Sequence, residues 1–167
     1  IGFSRIALSY DRGLMVTYGH PSGFDAVLEV INGDGIDAAD EHRVYDDDQY
    51  KNGALRLSQS INDHLRLGAI GYYGKEGDPI HNEVWMAGGD ATFAWANGTV
   101  NVQYLRRNDD NPAFLLDPSD EIATQGGLAE VVFLPHGDRS RWYCAALYNR
   151  IDSDLDVYDY DTITGHI

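Results

Sequence analysis

The sequence has few cysteines, few basic residues and no long apolar run, and each shortage excludes a class of protein. Its single cysteine, Cys144, rules out an intramolecular disulfide, a CxxCH haem attachment and any multi-cysteine metal site. The 12 Lys and Arg residues against 27 Asp and Glu give a net charge of −15 over 167 residues. Nucleic acid is therefore not expected as a partner, because phosphate contacts need clustered basic side chains. No apolar run approaches the roughly 20 residues of a spanning helix, although the alternating strands of a spanning β-barrel would escape this test.

Motifs for catalysis are also missing, and we expect the protein not to be an enzyme. The 6 histidines are scattered and form no HExxH motif, and no GxSxG motif, P-loop or GxGxxG motif occurs. Acidic residues are so numerous that any two could be chosen as a glycosidase pair, so such pairs carry no information.

Apolar and polar residues alternate along most of the chain, which is typical of strands with two different faces. In one such run Leu55 and Leu57 alternate with Arg56 and Ser58. Helical periodicity is weak and confined to residues 37–43. The sequence therefore predicts an all-β, antiparallel up-and-down fold of about nine or ten strands. The predicted strands lie near residues 3–19, 24–31, 53–61, 64–74, 83–96, 99–107, 126–134, 141–151 and 161–167.

Tight turns alternate with longer polar stretches between these strands. Asn97-Gly98 is a strong hairpin signal, because both central residues of a type I′ turn need positive φ, and Asn62-Asp63 joins another pair of strands. Four long connections hold 20 of the 27 acidic residues: 32–50, 75–83, 108–125 and 152–161. In an up-and-down sheet the long connections all lie at one end, and long acidic loops opposite tight turns are typical of a bacterial outer-membrane barrel. We expect these loops to be extracellular and the barrel to contact outer-membrane lipid and lipopolysaccharide.

A soluble, secreted β-sandwich that binds carbohydrate or calcium remains the alternative, because its strands and hairpins would give the same alternation. Monomeric behaviour in plain buffer would favour the sandwich over the membrane barrel.

The polar positions of the strands contain the candidates for lining a pore. Charged side chains that face a water-filled pore set its ion preference, whereas mutual pairing would only stiffen the barrel wall. The six candidates are Arg5, Arg56, Arg66, Asp90, Gln103 and Glu130.

One acidic loop has part of the spacing of a calcium loop. Asn32, Asp34, Asp37 and Glu41 are its candidate ligands, but Val30 stands at the first ligand position, where an acid is required. A solvated acidic loop explains the same residues. Weakly bound Ca²⁺ that bridges to lipopolysaccharide is therefore a hypothesis, and no other cofactor is expected.

Several motifs resemble the phosphate-selective porins of the O and P type. They are Ser9-Tyr10-Asp11-Arg12-Gly13-Leu14 with Tyr18-Gly19, Phe24–Ile31 with Asn32-Gly33-Asp34-Gly35, and Gly88-Gly89-Asp90-Ala91 leading through Asn97-Gly98 to residues 103–107. The chain is similar, too, to the barrels of porin–cytochrome conduits. The resemblance implies a barrel of about 16 strands, of which residues 1–167 would be a portion.

The resemblance implies passive passage of small solutes or ions, with a homo-oligomer or a cytochrome as partner. Phosphate selectivity is not expected, because the sequence has no closely spaced arginine ladder and an acidic mouth repels phosphate. In the alternative role, the barrel is the sheath of an outer-membrane electron conduit around a multihaem cytochrome.

Overall fold

The protein is a single antiparallel β-sheet in a computed structural model that describes residues 12–32, 50–77, 79–113, 115–116, 121–155 and 159–167. The strands are β1 (Arg12–His20), β2 (Phe24–Asn32), β3 (Asn52–Ser60), β4 (Leu65–Glu76), β5 (Asn82–Trp95), β6 (Gly98–Asp109), β7 (Ile122–Phe133), β8 (Cys144–Ser153) and β9 (Tyr160–His166). Each strand pairs with the next one along the chain, in the order β1 to β9. The predicted all-β, up-and-down architecture is confirmed, and the nine described strands form one sheet rather than two packed sheets.

Two sets of predicted residues lie outside this part of the structure. Arg5 and the acidic residues of the calcium hypothesis, Asp34, Asp37 and Glu41, are not among the described residues. Asn32 ends β2, but its side chain is not described.

The pairing register sorts the strand residues onto two faces. One face carries Arg56, Arg66 and Asp90, and we call it the charged face. The other carries Leu57, which pairs with Ala69, and we call it the apolar face. Residues that pair across strands point to the same side of a sheet, so the register fixes this assignment throughout the described strands.

The small buried core lies entirely on the charged face. Its members Ile31, Tyr72, Val84 and Met86 are each at most 8% exposed, and the register places all four opposite residues of that face. The described residues form no second layer over this face. The buried residues of the described sheet therefore lie on the charged face, whereas most of its exposed large apolar residues lie on the apolar face.

On the apolar face, each strand has a continuous row of apolar residues, which we call its apolar run. The position of this run along the strand changes from one strand to the next. The register line through Phe24, beside the first turn, passes through Leu67, Ala91, Val102 and Tyr148 on later strands. Phe24 lies at the turn side of the apolar run of β2, whereas Val102 lies in the middle of the run of β6. Tyr148 is the last large apolar residue on this face of β8. The run therefore shifts by about one residue per strand, as happens when strands tilt in a curved sheet.

The connections differ in length from the prediction at two places. The stretch 75–83 was predicted to be a loop, but β4 continues to Glu76 and β5 begins at Asn82. An ion pair between Lys75 and Glu83 extends this hairpin, and the Tyr73 hydroxyl donates a 3.0 Å hydrogen bond to Glu83 Oε2. At the opposite end, the predicted strands leave a short connection of residues 135–140, but the connection spans residues 134–143 and contains a 3₁₀ turn at Gly137–Arg139. Loop length alone therefore does not divide the two ends strictly.

Among the described residues, no helix has the length and apolar character needed to cross a membrane.

Candidate functional site on the charged face

Five predicted pore-lining residues share the charged face of the sheet. Asp90 pairs with Gln103 on the neighbouring strand, and Arg66 pairs with Thr92 on the next register line. Glu130 continues that line on β7 through its partner Asn101, and Arg56 lies on the same side of β3. The structure therefore brings these residues onto one surface, which is the arrangement that a pore-lining role requires. The role itself stays a prediction.

Arg56 and Asp90 form an ion pair that reaches across β4. Arg56 Nη2 donates hydrogen bonds of 2.9 and 2.8 Å to the two carboxylate oxygens of Asp90. Gly68 of β4 makes room for this pair, because a Cβ at that position would collide with the Asp90 carboxylate. A glycine in the middle of a strand usually weakens it, so its place here is explained by the close approach of the carboxylate.

Arg66 holds a second ion pair nearer the turns. Its Nη2 donates hydrogen bonds to Asp25 Oδ2 at 2.5 Å and to Ser58 Oγ at 2.7 Å. Asp25 lies on β2, two strands away from Arg66 on β4. The two arginines therefore tie together β2 to β5 across the charged face.

A chain of hydrogen bonds from neutral donors continues this line to Glu130 on β7. The Thr92 hydroxyl donates to Asn101 Oδ1 at 3.0 Å, and Asn101 Nδ2 donates to Glu130 Oε2 at 2.8 Å. Among the described residues, no cation is paired with Glu130. We call the charged members of this network, Asp25, Arg56, Arg66, Asp90 and Glu130, the polar belt.

The polar belt carries a net charge but contributes little to the stability of the fold. Two arginines face three carboxylates, so its formal charge is negative by about one unit when all the carboxylates are ionised. The side chains of both ion pairs remain partly exposed, from 19% to 44%, and such pairs contribute about 0–1 kcal/mol each. Glu130 therefore supplies the uncompensated charge of the belt.

Buried amides at the loop end form a network that the sequence did not reveal. Asn82 is 0% exposed, and its Nδ2 donates to Asp109 Oδ1 at 2.9 Å. The backbone N–H of Asn111 donates to Asn82 Oδ1 at 2.8 Å. Asp109 also accepts a 2.6 Å hydrogen bond from Arg107 Nε. These bonds anchor the start of the β6–β7 connection to the hairpin of β5 and β6.

The Lys75–Glu83 pair lies at the loop end, beyond the large apolar residues of β4 and β5. The hydrogen bond from the Lys75 ammonium holds the pKa of the Glu83 carboxyl below its ordinary value of 4.5. The same bond raises the pKa of Lys75 above 10.5. Both groups are therefore ionised at neutral pH, and each favours the charged form of the other.

The apolar face leaves an unusual number of large side chains exposed. Those exposed on it are Leu14, Val16, Tyr18, Leu28, Val30, Leu55, Leu57, Leu67, Tyr73, Trp85, Phe93, Trp95, Val102, Tyr104, Val131, Phe133, Tyr148 and Ile163. Its eight aromatic side chains alone, each nearly half exposed, present roughly 700 Å² to the outside. Soluble monomers rarely expose a contiguous apolar patch above a few hundred Å².

The described residues contain no group of three or more His, Cys, Asp or Glu side chains that could hold a metal ion. The calcium hypothesis rests on the loop after β2 and stays untested.

The chain matches no family model, no curated protein and no solved structure.

Proposed function

We propose that this chain forms part of the wall of a bacterial outer-membrane β-barrel through which small solutes or ions pass. The apolar face contacts lipid in this proposal, and the charged face lines the lumen. The observation that carries it is the exposure of large apolar side chains on one face, with the buried core and the polar belt on the other. A water-soluble sheet gains stability by burying such a face, whereas a lipid-exposed sheet keeps it outside.

The spacing of two tryptophans supports the proposal. Trp85 and Trp95 lie on the apolar face near opposite ends of β5. At about 3.3 Å per residue they are roughly 33 Å apart along the strand. A strand tilted by about 40° reduces this to a height of about 25 Å, which is the height of the apolar band of outer-membrane barrels.

The shift of the apolar run gives an independent value for the tilt. A displacement of about one residue per strand is about 3.3 Å along the strand for each 4.8 Å step between strands. This ratio corresponds to a tilt of about 35°, which falls within the range of closed barrels. The tilt assumed for the tryptophan spacing is therefore close to the tilt that the shift gives.

Aromatic side chains border the apolar run at both ends, as in the interfacial girdles of membrane barrels. Phe93, Trp95 and Phe133 lie near the turns, whereas Tyr73 and Trp85 lie near the loops. We therefore propose lipid contact between these levels, with the acidic loops beyond one of them.

Closure of the barrel also belongs to the proposal. Within the described residues, β1 pairs only with β2 and β9 only with β8. A lumen requires these two edges to pair with each other or with further strands, and the resemblance to porins favours further strands. The negative polar belt would then give the pore a weak preference for cations.

Two neighbouring residues of β6 allow a matched test. Val102 lies on the apolar face and Gln103 on the charged face. A lysine on the lipid side near mid-membrane costs about 2–4 kcal/mol, whereas lumen positions tolerate charge. We expect Val102→Lys to impair insertion of the full chain into phospholipid vesicles and Gln103→Lys to insert like the wild type, as measured by quenching of tryptophan fluorescence with brominated lipid.

Equal insertion of both variants, or a wild type that stays monomeric in plain buffer, would contradict the proposal. Planar-bilayer conductance of the inserted protein then tests the passage of ions. Insertion without conductance would favour the sheath of an electron conduit over an open pore.

A further inference from the structure

A cavity of about 470 Å³ opens on the charged face, on the loop side of β5 to β8. The cavity differs from the polar belt because most of its wall consists of apolar side chains. Met86, Leu105, Ile122, Leu128, Ile151 and Leu155 line it. These residues come from four strands and one connection, so the cavity exists only in the folded sheet.

A glycine interrupts the row of large apolar side chains in the wall of the cavity. Gly126 lies between Leu105 and Ile151 on one register line. A Cβ at Gly126 would approach the Ile151 Cγ1 atom and the Arg150 carbonyl oxygen to 3.3 Å. Glycine therefore lets the Ile151 side chain lie close against β7, and the apolar wall of the cavity extends from Leu105 to Ile151 with no side chain between them.

Among the described residues that line the cavity, the charged side chains compensate each other. The hydroxyl groups of Thr124 and Ser153 are 2.9 Å apart and share one hydrogen bond. Arg107, which also lines the cavity, is paired with Asp109. The wall therefore offers hydrogen bonds to a ligand but no free cation for a carboxylate or phosphate.

We propose that this cavity binds an uncharged amphipathic molecule with two or three rings and one or two hydroxyl or carbonyl groups. Its volume is roughly three times the 150 Å³ of an apolar cavity that holds benzene, and it falls within the usual range of ligand pockets. Asp110 and Asp154 adjoin the lining residues Asp109 and Leu155 in the chain, and their charge disfavours anions. In the proposed pore, this molecule would be a solute that binds to the pore wall. That part of the inference rests on the proposed function, because it requires the charged face to line a lumen.

The two methionines of the chain give a test with an internal control. Met86 lines the cavity, whereas Met15 lies on β1 and is exposed. With methyl-¹³C-methionine in the full chain, NMR in detergent micelles follows both methyl signals, and the Met15→Leu variant assigns them. We expect 2-naphthol to shift the Met86 signal saturably and to leave Met15 unchanged. The 2-naphthoate anion has the same rings, and we expect it to shift Met86 much less.

A pair of exposed alanines supplies the matched variants. Ala113 borders the cavity, and Ala96 lies in the β5–β6 turn at the opposite end of the sheet. We expect Ala113→Trp to raise the Kd for 2-naphthol about tenfold or more by filling the mouth, and Ala96→Trp to leave it unchanged.

Parallel, non-saturating shifts of Met86 and Met15 would show partitioning into the micelle and overturn the site, as would an unshifted Met86 signal. Equal binding of 2-naphthoate would overturn the choice of an uncharged ligand. The outcome is distinct from that of the membrane test. If Met86 responds while Val102→Lys inserts like the wild type, the cavity stands as a binding site and the lipid-facing function falls.

Discussion

The carboxylate of Asp90 occupies the space beside β4 that a side chain at Gly68 would fill. This relationship lets Arg56 on β3 reach Asp90 on β5 without an obstacle between them. The ion pair therefore depends on a residue that makes none of its hydrogen bonds.

Replacing Gly68 by alanine tests this dependence. We expect Gly68→Ala to displace Asp90 and to lower the free energy of unfolding by about 1–3 kcal/mol, because the added methyl group has no space. Urea unfolding of the reconstituted protein measures the change. Gly71→Ala on the same strand is the control, since a Cβ there would meet its nearest atom, the Met86 carbonyl oxygen, only at 4.0 Å. An equal loss in both variants would show that the effect comes from the strand rather than from the ion pair.

The polar belt predicts how charge controls ion preference. Glu130 contributes its uncompensated negative charge, so Glu130→Gln is expected to reduce the preference for cations. Asp90→Asn leaves Arg56 without its partner and is expected to shift the preference further toward anions. The reversal potential in a salt gradient across a planar bilayer measures both. Asp63→Asn, in an exposed turn outside the belt, makes the same change in charge and is expected to have a smaller effect. A shift for Asp63→Asn as large as that for Glu130→Gln would contradict a role for the belt.

The Lys75–Glu83 pair predicts a dependence of stability on pH. Because the folded-state pKa of Glu83 is depressed, its contribution is present above the ordinary value of 4.5 and is lost as the pH falls through the lower folded pKa. We expect Glu83→Gln to remove the loss of stability that protonation of Glu83 causes at acid pH. Near neutral pH, the dependence of the free energy of unfolding on pH is expected to change little. Glu130→Gln serves as the comparison, since no lysine or arginine pairs with Glu130 within the described residues. Wild-type acid dependence in the Glu83→Gln variant would contradict the assignment.

Replacing the buried Asn82 is expected to lower the free energy of unfolding more than replacing a less buried asparagine. Asn82→Ala removes a donor to Asp109 and an acceptor for the Asn111 backbone N–H. Leaving the buried Asn111 N–H unpaired costs about 1–3 kcal/mol, whereas Asp109 keeps its hydrogen bonds from Arg107. Asn149→Ala is a suitable control, because Asn149 is less buried and its hydrogen bond to Thr162 is long at 3.4 Å. Equal midpoints for the two variants in urea would argue against the buried network.

The alternation of side chains predicted the sheet and its two faces because each strand has one apolar side. The alternation is ambiguous at residues 141–151, because either Cys144 and Tyr148 or Ala145 and Leu147 could form the apolar side of the strand. The register resolves this: Cys144 pairs with Phe133 on the apolar face, whereas Leu147 pairs with Glu130 on the charged face. Pairing with a neighbouring strand carries information that one strand alone does not.

Strand ends were harder to predict where polar residues continue the pairing. Lys75 and Glu83 have the composition of a loop, but they pair across β4 and β5. The strand β7 begins at Ile122 instead of near residue 126, because Thr124 and Gln125 pair with both neighbouring strands. A tertiary partner overrides the low strand propensity of such residues.

The cavity could not be predicted from the sequence. Leu105, Leu128 and Ile151 stand at positions of the charged face, where the alternation predicts polar residues. Only the register brings Gly126 between Leu105 and Ile151. The polar belt was more accessible, since Arg56, Arg66, Asp90 and Glu130 share the polar alternation, although their partners were not predictable.

The strictly sequential strand order also bears on how such a protein changes in evolution. Each hairpin makes its main contacts with the strands next to it along the chain. If a whole hairpin is duplicated or lost, the strands on either side of it keep their apolar and charged faces on the same sides of the sheet. Only the two strands that become new neighbours must adopt a new pairing register. The hairpin is thus a natural unit of inheritance here, and the sheet can gain or lose strands in pairs without a new fold.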